Sequence, residues 1–371
     1  METKGHAKRM IKRTHLIILC VCACALCACM HTKKEMPLPE GNRYARGFVL
    51  RDSADCQVAD IYSPWNREMV MQHVVFRPDR KRGEELRLAT TSCTQVGMLD
   101  ALGMKGSIVG ASTRELVYTP LGDDVPDLGA DMSPKYEQIV DVKPDVMLMV
   151  SYAEDNPMAR QLSRLGIEYV FINEWMEDHP LGRAEWIRLA GILTGREAEA
   201  DSLFERVCSR YEELAAQPIV GEKRTIFSGQ DFRGTWYVPA GNTYMGQLFR
   251  DAGADYRYDS DRRGQSIPLT LEQALQDFSE ADVWVGCTAK SRQELLMIDE
   301  RHSWLKAFRT DEVYNFYRRS TASGGNDFWE SGVVHPEEIL MDLRQLLYPE
   351  EMPNRALKYA QKLPNEIGKN E

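Results

Sequence analysis

The sequence predicts an α/β fold with two lobes joined by one long helix. Strand-like and helix-like segments alternate over residues 86–173 and again over residues 223–317, as is typical of parallel α/β units. Between these regions, residues 183–217 have a helical pattern without a strand. We therefore predict two Rossmann-like α/β lobes joined by a single long interdomain helix, with a small N-terminal β segment.

One sequence phrase occurs twice, about 135 positions apart. Residues 136–150 read YEQIVDVKPDVMLMV, and residues 271–286 read LEQALQDFSEADVWVG. Each begins as a short amphipathic helix and ends in an apolar run that is typical of a buried strand. The repeat places Glu137 and Glu272 at the same position of equivalent helices, one in each predicted lobe.

The connecting segment has the apolar spacing of a helix that packs on one side. Thr194 and Glu197 have the spacing of a capping box, which predicts that the long helix begins there. One apolar face follows, formed by Ala200, Leu203, Phe204, Val207, Tyr211 and Leu214. The predicted organisation is a signal peptide at 1–28, a tether at 29–46, a first lobe with a β-hairpin extension at 47–182, the connection at 183–217, a second lobe at 218–350 and a polar tail at 351–371.

The N-terminus has the features of a bacterial lipoprotein signal. Five basic residues precede the apolar run LIILCVCACALCA, which is too short for a comfortable membrane span. Leu26, Ala28 and Cys29 fit a lipobox, so Cys29 is predicted to carry the lipid and to become the first mature residue. Cys24 is a second candidate, and an ordinary secretory signal or an uncleaved anchor is the alternative.

Composition excludes several classes of protein. Four of the nine cysteines lie in the signal and Cys29 follows it directly, and the remaining Cys56, Cys93, Cys208 and Cys287 have neither zinc-site spacing nor the density of a disulfide scaffold. The whole chain has a net charge of −10, and the signal holds five basic residues and one acidic residue, so the mature chain carries −14. Such a surface argues against nucleic-acid binding. The sequence has no nucleophile elbow, phosphate-binding loop or dinucleotide fingerprint, so we predict that it is not an enzyme.

Several stretches carry a family resemblance, and together they cover most of residues 86–348. They are LATTSCTQVGMLDALGMKGSIVGAS, DLGADMSPKYEQIVDVKPDVMLMVS, LAGILTGREAEADSLFERV, LTLEQALQDFSEADVWV and GGNDFWESGVVHPEEILMDL. The chain resembles the substrate-binding proteins of bacterial ABC importers for iron-siderophores, haem and cobalamin, in a version similar to that of Bacteroidetes. The resemblance implies a ligand held between the two lobes.

Ligands of open α/β sheets bind at the carboxyl ends of the strands. The side chains predicted there are hydroxyls, amides, aromatic rings and guanidinium groups, which suit a medium-sized ligand with flat or apolar surfaces and some anionic groups. For each aromatic residue the alternative is packing in the core. The predicted ligand contacts are Thr91, Ser92, Arg114, Tyr152, Trp175, Gln230, Trp236 and Arg318.

The resemblance also implies partners. In that family one Glu from each lobe pairs with Arg residues on the outer face of the transporter, and this role falls on Glu137 and Glu272. We therefore expect an ABC permease and ATPase as partners, a metal chelate as ligand, no cofactor of the protein's own and no nucleic acid. We expect a monomer whose body lies in the periplasm, tethered by lipid to a membrane. Two alternatives stay open, a zinc or manganese importer protein that binds the metal ion directly and a structural surface lipoprotein without a ligand.

Overall fold

The computed structural model of the protein describes residues 38–53, 55–130, 133–352 and 355–366, which belong to one compact unit. The predicted signal peptide and Cys29 lie outside the described residues, so the lipid on Cys29 stays a prediction. Within the described ranges, no helix has both the length and the apolar character needed to cross a membrane.

The predicted N-terminal β segment is an antiparallel meander of three strands, one strand more than the predicted hairpin. They are β1 (Phe48–Ser53), β2 (Cys56–Tyr62) and β3 (Val70–Phe76), paired in the order β1-β2-β3. In β3 the side chains of Val74 and Phe76 are buried, whereas those of His73 and Val75 are exposed. This alternation is typical of a sheet with one face on the core and one face in solvent.

The first lobe follows as an alternation of strands and helices. In chain order its elements are β4 (Leu88–Thr90), α1 (Cys93–Ala101), β5 (Ile108–Ala111), β6 (Gly129–Ala130), β7 (Ser133–Pro134), α2 (Tyr136–Asp141), β8 (Val146–Met149), α3 (Pro157–Arg164) and β9 (Glu168–Phe171). Four strands pair in parallel in the order β5-β4-β8-β9. All four residues of β8 are buried, as expected for a strand with both faces covered.

The meander closes the free edge of this parallel sheet. Gln72 of β3 donates from Nε2 to the carbonyl oxygen of Tyr169 at 2.8 Å. Its Oε1 accepts from the backbone N–H of Phe171 at 2.9 Å. One side chain therefore satisfies backbone groups of β9 that would otherwise stay open for pairing with another chain.

Three consecutive helices connect the lobes. They are α4 (Pro180–Glu185), α5 (Ile187–Thr194) and α6 (Glu197–Ala215). The 19 residues of α6 span about 28 Å, and its predicted apolar face is buried except for the half-buried Leu203. The capping-box prediction was wrong. Thr194 belongs to α5, where its hydroxyl donates to the carbonyl oxygen of Ala190 at 2.8 Å, and Arg196 precedes α6 without a side-chain cap.

The second lobe has a smaller parallel sheet than the first. In chain order its elements are β10 (Ile226–Ser228), β11 (Asp231–Phe232), β12 (Thr235–Pro239), α7 (Tyr244–Asp251), β13 (Ser266–Leu269), α8 (Leu271–Phe278), β14 (Val283–Val285), α9 (Arg292–Ile298), α10 (Lys306–Arg309), β15 (Tyr314–Asn315), α11 (Pro336–Leu347) and β16 (Gln361–Lys362). β10 and β14 pair in parallel, and an isolated parallel bridge joins Trp284 to Val313. The strands β11, β12 and β13 form a separate antiparallel sheet.

Two buried carboxylates fix the N-terminal segment to the connecting helices. Glu185 of α4 is fully buried and accepts from the backbone N–H groups of residues 43, 44 and 45 at 2.8, 2.8 and 2.7 Å. Glu177 accepts from the N–H of residue 47 at 2.8 Å and from Trp186 Nε1 at 3.0 Å. Each of these carboxyl groups therefore satisfies several donors that would otherwise be costly to bury without a partner. Residues 43–46, which were predicted to belong to the tether, are instead held against the connection between the lobes.

Candidate ligand-binding cleft

Two of the aromatic residues predicted to contact the ligand lie side by side in the first lobe. Tyr152 follows β8 and Trp175 follows β9, and their ring centroids are 5.4 Å apart. Tyr152 is 62% exposed and Trp175 is 36% exposed. Because β8 and β9 are neighbours in a parallel sheet, their carboxyl ends place both rings at the same edge. The pair offers an aromatic surface to solvent.

Short hydrogen bonds fix the loops that carry this aromatic pair. The backbone N–H of Ser151 donates to Asn173 Oδ1 at 2.9 Å, which ties the loop after β8 to the loop after β9. The Ser151 hydroxyl donates to the carbonyl oxygen of Ala153 at 2.7 Å. Both Ser151 and Asn173 are buried, so buried hydrogen bonds fix the loops that carry the exposed rings.

Thr91 and Ser92 lie at the carboxyl end of β4, but their polar groups are used inside the protein. Thr91 Oγ1 accepts from the backbone N–H of Val150 at 2.9 Å. Ser92 caps α1, and Gln95 completes a capping box with it. These residues hold the edge of the sheet together. The structure gives them a supporting position rather than free hydrogen-bonding groups for a ligand.

Trp236 was predicted to stack on a ligand, and the structure corrects this prediction. Its side chain is 0% exposed, and its Nε1 donates to the carbonyl oxygen of Ser228 at 2.9 Å. Residue 236 belongs to β12, in which side chains alternate between two faces, so that Tyr237 is exposed instead. The Trp236 ring packs with Phe227 and Trp284 in an aromatic core, and no surface of it is left for a ligand.

Gln230 and Arg114 are engaged in local contacts. Gln230 Oε1 accepts from the backbone N–H groups of Thr288 and Ala289 at 2.9 and 3.1 Å, and so joins the loops after β10 and β14. Arg114 Nη2 donates to the carbonyl oxygens of Leu121 and Gly122 at 3.3 and 3.0 Å. Both side chains shape loops at the carboxyl ends of strands.

Arg318 has an exposed side chain and lines an open cavity of about 580 Å³. The other charged groups of that cavity are Arg319, Glu338, Arg355 and Lys358, and neither Tyr152 nor Trp175 contributes to its lining. Arg355 and Lys358 belong to the C-terminal segment. This cavity is therefore formed by residues 318–361 and not by the aromatic pair.

A segment of the second lobe reaches across to the first lobe, and sequence reasoning missed its role. It comprises residues 319–334, and we call it the crossing segment. Glu330 is fully buried there and accepts from the backbone N–H groups of Tyr118 and Thr119 at 2.7 and 2.8 Å. Gly97 of α1 packs so closely against the Glu330 carbonyl oxygen that a Cβ would lie 2.5 Å from it. The two lobes are therefore in tight contact at this point.

The crossing segment carries an exposed aromatic residue, Trp329. The Cys93 thiol at the start of α1 lies 3.8 Å from its carbonyl oxygen, which places Trp329 beside the carboxyl end of β4. Its ring packs on the edge of Phe328, which in turn stacks on Phe316 after β15. About half of the Trp329 side chain is exposed. The stretch GGNDFWESGVV contains this residue, and its Trp among small and polar residues was the signal that could have found it.

A buried charged pair lies near the same junction. Glu174 follows β9, and its Oε1 is 4.0 Å from Arg183 Nη2 of α4. Burial raises the pKa of Glu174, while Arg183 acts in the opposite direction. The Arg183 guanidinium lies over the ring of Tyr244, 4.6 Å from its centroid, and Tyr244 begins α7 of the second lobe. This cation–π contact joins the lobes beneath the loops that carry the aromatic residues.

The four body cysteines are free in the structure. Burial raises the pKa of Cys93 to about 12, and the nearby carboxylates of Glu330 and Glu174 add to this effect. The thiol is therefore neutral at physiological pH and is a poor metal ligand in this state. Over the described ranges, no three His, Cys, Asp or Glu residues are grouped so that they could hold a metal ion.

The two repeated glutamates are both exposed. Glu137 lies in the first turn of α2, and Glu272 lies in the first turn of α8. Arg301 Nη1 contacts Glu272 Oε1 at 2.9 Å. The repeat of the sequence is thus a repeat of the structure, with one accessible carboxylate on each lobe.

Comparison with known proteins gives several relatives. An uncharacterized lipoprotein of Methanocaldococcus jannaschii is 23% identical over 287 residues, which is 72% of this chain and 66% of the relative, so the chain spans about two thirds of its length. The high-affinity heme uptake system protein IsdE of Staphylococcus aureus is 29% identical over 243 residues, covering 58% of this chain and 80% of IsdE.

Solved structures confirm the two-lobed α/β fold. The periplasmic heme-binding protein HutB of Vibrio cholerae matches with a TM-score of 0.57 at 16% identity, covering 71% of this chain and 99% of HutB. The family model described as periplasmic binding protein matches residues 88–317, which is more than half of the chain. The protein belongs to the periplasmic binding protein family, a family of substrate-binding proteins.

Proposed function

We propose that this protein is the lipid-anchored substrate-binding component of an ABC importer and that it captures a metal chelate between its two lobes. The observation that carries this proposal is the exposed pair Tyr152 and Trp175 at the carboxyl ends of neighbouring strands, near the lobe junction of a periplasmic binding protein. Exposed aromatic rings on a supported base are suited to stacking on a flat ligand. Trp329 supplies a third ring from the crossing segment.

Among the candidate chelates, we propose haem as the ligand. The names of the S. aureus and V. cholerae relatives state that those proteins take up or bind heme. A planar macrocycle matches an aromatic cleft, and its metal needs no cluster of three protein ligands. An iron-siderophore or cobalamin would use the same cleft, and the experiment below separates these ligands.

For delivery, we propose that Glu137 and Glu272 dock on the permease, whose ATPase drives uptake, and that Cys29 carries the lipid. The body would then act as a monomer in the periplasm. Both carboxylates are exposed on equivalent helices, which supports this role. The first turn of a helix favours a carboxylate by only about 0.3–1 kcal/mol. The helix dipole alone therefore does not explain why both lobes have a Glu at this position.

The test is a titration of the full-length protein with hemin, followed by its absorption band, together with mass spectrometry of any chelate that co-purifies. The double variant Tyr152→Ala, Trp175→Ala should weaken binding by about thirtyfold or more, because each stacked ring contributes roughly 1–3 kcal/mol and the two together at least about 2 kcal/mol. Trp65→Ala is the matched control, since Trp65 is similarly exposed but lies in the N-terminal meander region.

The outcomes are distinct. Binding of hemin that is weakened by the double variant and not by the control supports the proposal with haem as ligand. A siderophore or cobalamin in the purified protein keeps the proposed function and replaces the ligand. If the protein binds none of these chelates in titration and carries none when purified, the proposed function is wrong.

A further inference from the structure

A second exposed apolar surface lies away from the aromatic pair. It is formed by the last turn of α9 and by the 3-10 turn of residues 300–304. Met297 is 73% exposed and Trp304 is 62% exposed. Over the described ranges this stretch of nine residues contains four exposed large hydrophobic side chains, which we call the apolar patch: Leu296, Met297, Ile298 and Trp304. Single exposed apolar residues are ordinary, but a cluster that includes Met and Trp is typical of a protein-binding surface.

The apolar patch is held in a fixed shape. Asp299 caps the 3-10 turn by accepting from the backbone N–H of Arg301 at 2.9 Å. His302 is fully buried between the exposed residues, and its Nδ1 lies 2.8 Å from the carbonyl oxygen of Leu295. Because the turn is anchored from beneath, Trp304 would lose little conformational freedom when a partner covers it.

The border of the apolar patch is acidic. Arg301 contacts Glu272 at 2.9 Å and Asp299 at 2.9 Å, so one guanidinium serves two carboxylates. The exposed Glu300 has no ion pair within the described part of the chain. Arg309, which donates to the carbonyl oxygen of Trp304, is paired with Glu280 at 3.9 Å. These six groups sum to a formal charge of −2, and a partner that covers the patch would match it with basic side chains.

We propose that the apolar patch and Glu272 form one docking surface, which the permease of the importer covers with an apolar site bordered by Arg or Lys. This inference rests on the proposed function. Its support is that Arg301, which lies in the chain between Ile298 and Trp304 of the patch, contacts the proposed docking carboxylate at 2.9 Å. The two lobes differ here, because Val140 is the exposed large hydrophobic residue in α2 beside Glu137. The second lobe therefore provides the larger share of the docking contact.

The experiment places a photo-crosslinking amino acid at position 304 or 297 of the full chain in the native cell and identifies the adducts by mass spectrometry. Position 220 is the control, because Val220 is mostly exposed but lies in the loop after α6. We expect an adduct with a multi-spanning ABC permease from positions 304 and 297 and not from position 220. In the Glu272→Arg background this adduct should decrease.

A second measurement uses the double variant Met297→Ser, Trp304→Ser, with Val220→Ser as the matched control. Docking on the permease so identified, in proteoliposomes, should weaken by about tenfold, as expected for buried Trp at an interface. The affinity for hemin or for the co-purified chelate should not change, because the substitutions lie outside the cleft.

The outcomes separate this inference from the proposed function. If the protein binds its chelate and supports uptake, but positions 304 and 297 give no permease adduct or only adducts with other proteins, the docking surface is wrong and the function stands. If the adducts form but the double variant docks as tightly as the control, the patch lies near the permease without contributing to docking, and the inference is also wrong. If no chelate is bound at all, the proposed function is wrong and the inference falls with it.

Discussion

Glu330 gives the sharpest test of how the two lobes are held together. Its buried carboxylate accepts two backbone N–H groups from the first lobe at 2.7 and 2.8 Å. Glu330→Ala leaves both donors without an acceptor, and each unsatisfied buried group costs about 1–3 kcal/mol. The expected loss in the free energy of unfolding is therefore about 4 kcal/mol, less whatever water recovers by entering the site. Glu330→Gln keeps one acceptor oxygen and should lose about half as much.

The assay is urea unfolding of the wild type and the variants, with Glu115→Ala as a control. Glu115 is exposed in the loop that receives the crossing segment, so its removal should change stability by less than about 0.5 kcal/mol. The alanine variant should also bind the chelate more weakly, because Trp329 sits next to the lost contact. A loss of less than about 1 kcal/mol in Glu330→Ala would refute the reasoning, since it would mean that the two hydrogen bonds do not hold the lobes.

Four further predictions follow from named residues. Glu185→Ala should destabilise the fold by about 6 kcal/mol, because three backbone N–H groups lose their acceptor at about 2 kcal/mol each, and chemical unfolding checks this. Burial raises the pKa of Glu174 above its unfolded value near 4.3, so the protonated carboxyl favours the folded state, and this stability is lost as pH rises through the raised pKa. The Tm of Glu174→Gln should therefore match that of the wild type near about pH 4 and exceed it near about pH 8. A difference in Tm that does not vary with pH contradicts the raised pKa. Trp236→Ala should cost about 3–5 kcal/mol of stability, whereas Tyr237→Ala should cost little. Equal losses of stability in the two variants would contradict the burial of Trp236. Labelled palmitate should be incorporated into the wild type and not into Cys29→Ala. Unchanged labelling of the variant would mean that Cys29 is not the lipidated residue.

The sequence was sufficient to predict the fold class. The alternation of strands and helices, the helical connection and the N-terminal β segment each depend on local periodicity and turn residues, which a single chain displays directly. The same local logic placed Tyr152 and Trp175 after buried strands, and parallel pairing of those strands then brought the rings together.

The sequence pattern alone did not show which side chains of a strand point into the core. Trp236 and Tyr237 are adjacent, and the sequence gives no direct indication of which one points inward. That choice depends on the pairing of β12 with β13, in which Trp236 lies opposite Leu269 on the buried face. A shift by one residue would exchange the two rings, because side chains in a strand alternate with a period of two.

The sequence by itself determined the alternation of strands and helices that sets the fold class, because those preferences act over a few neighbouring residues. Only the tertiary structure decided what the polar side chains do, because their partners are far away in the chain. Glu330 binds backbone groups about 211 positions earlier, and Glu185 binds groups about 141 positions earlier. Neither pairing has a local sequence signal, since the acceptor recognises a backbone N–H that every residue except proline carries. The junction of the lobes, with Trp329, Glu174 and Arg183 near it, therefore became visible only once the chain was folded.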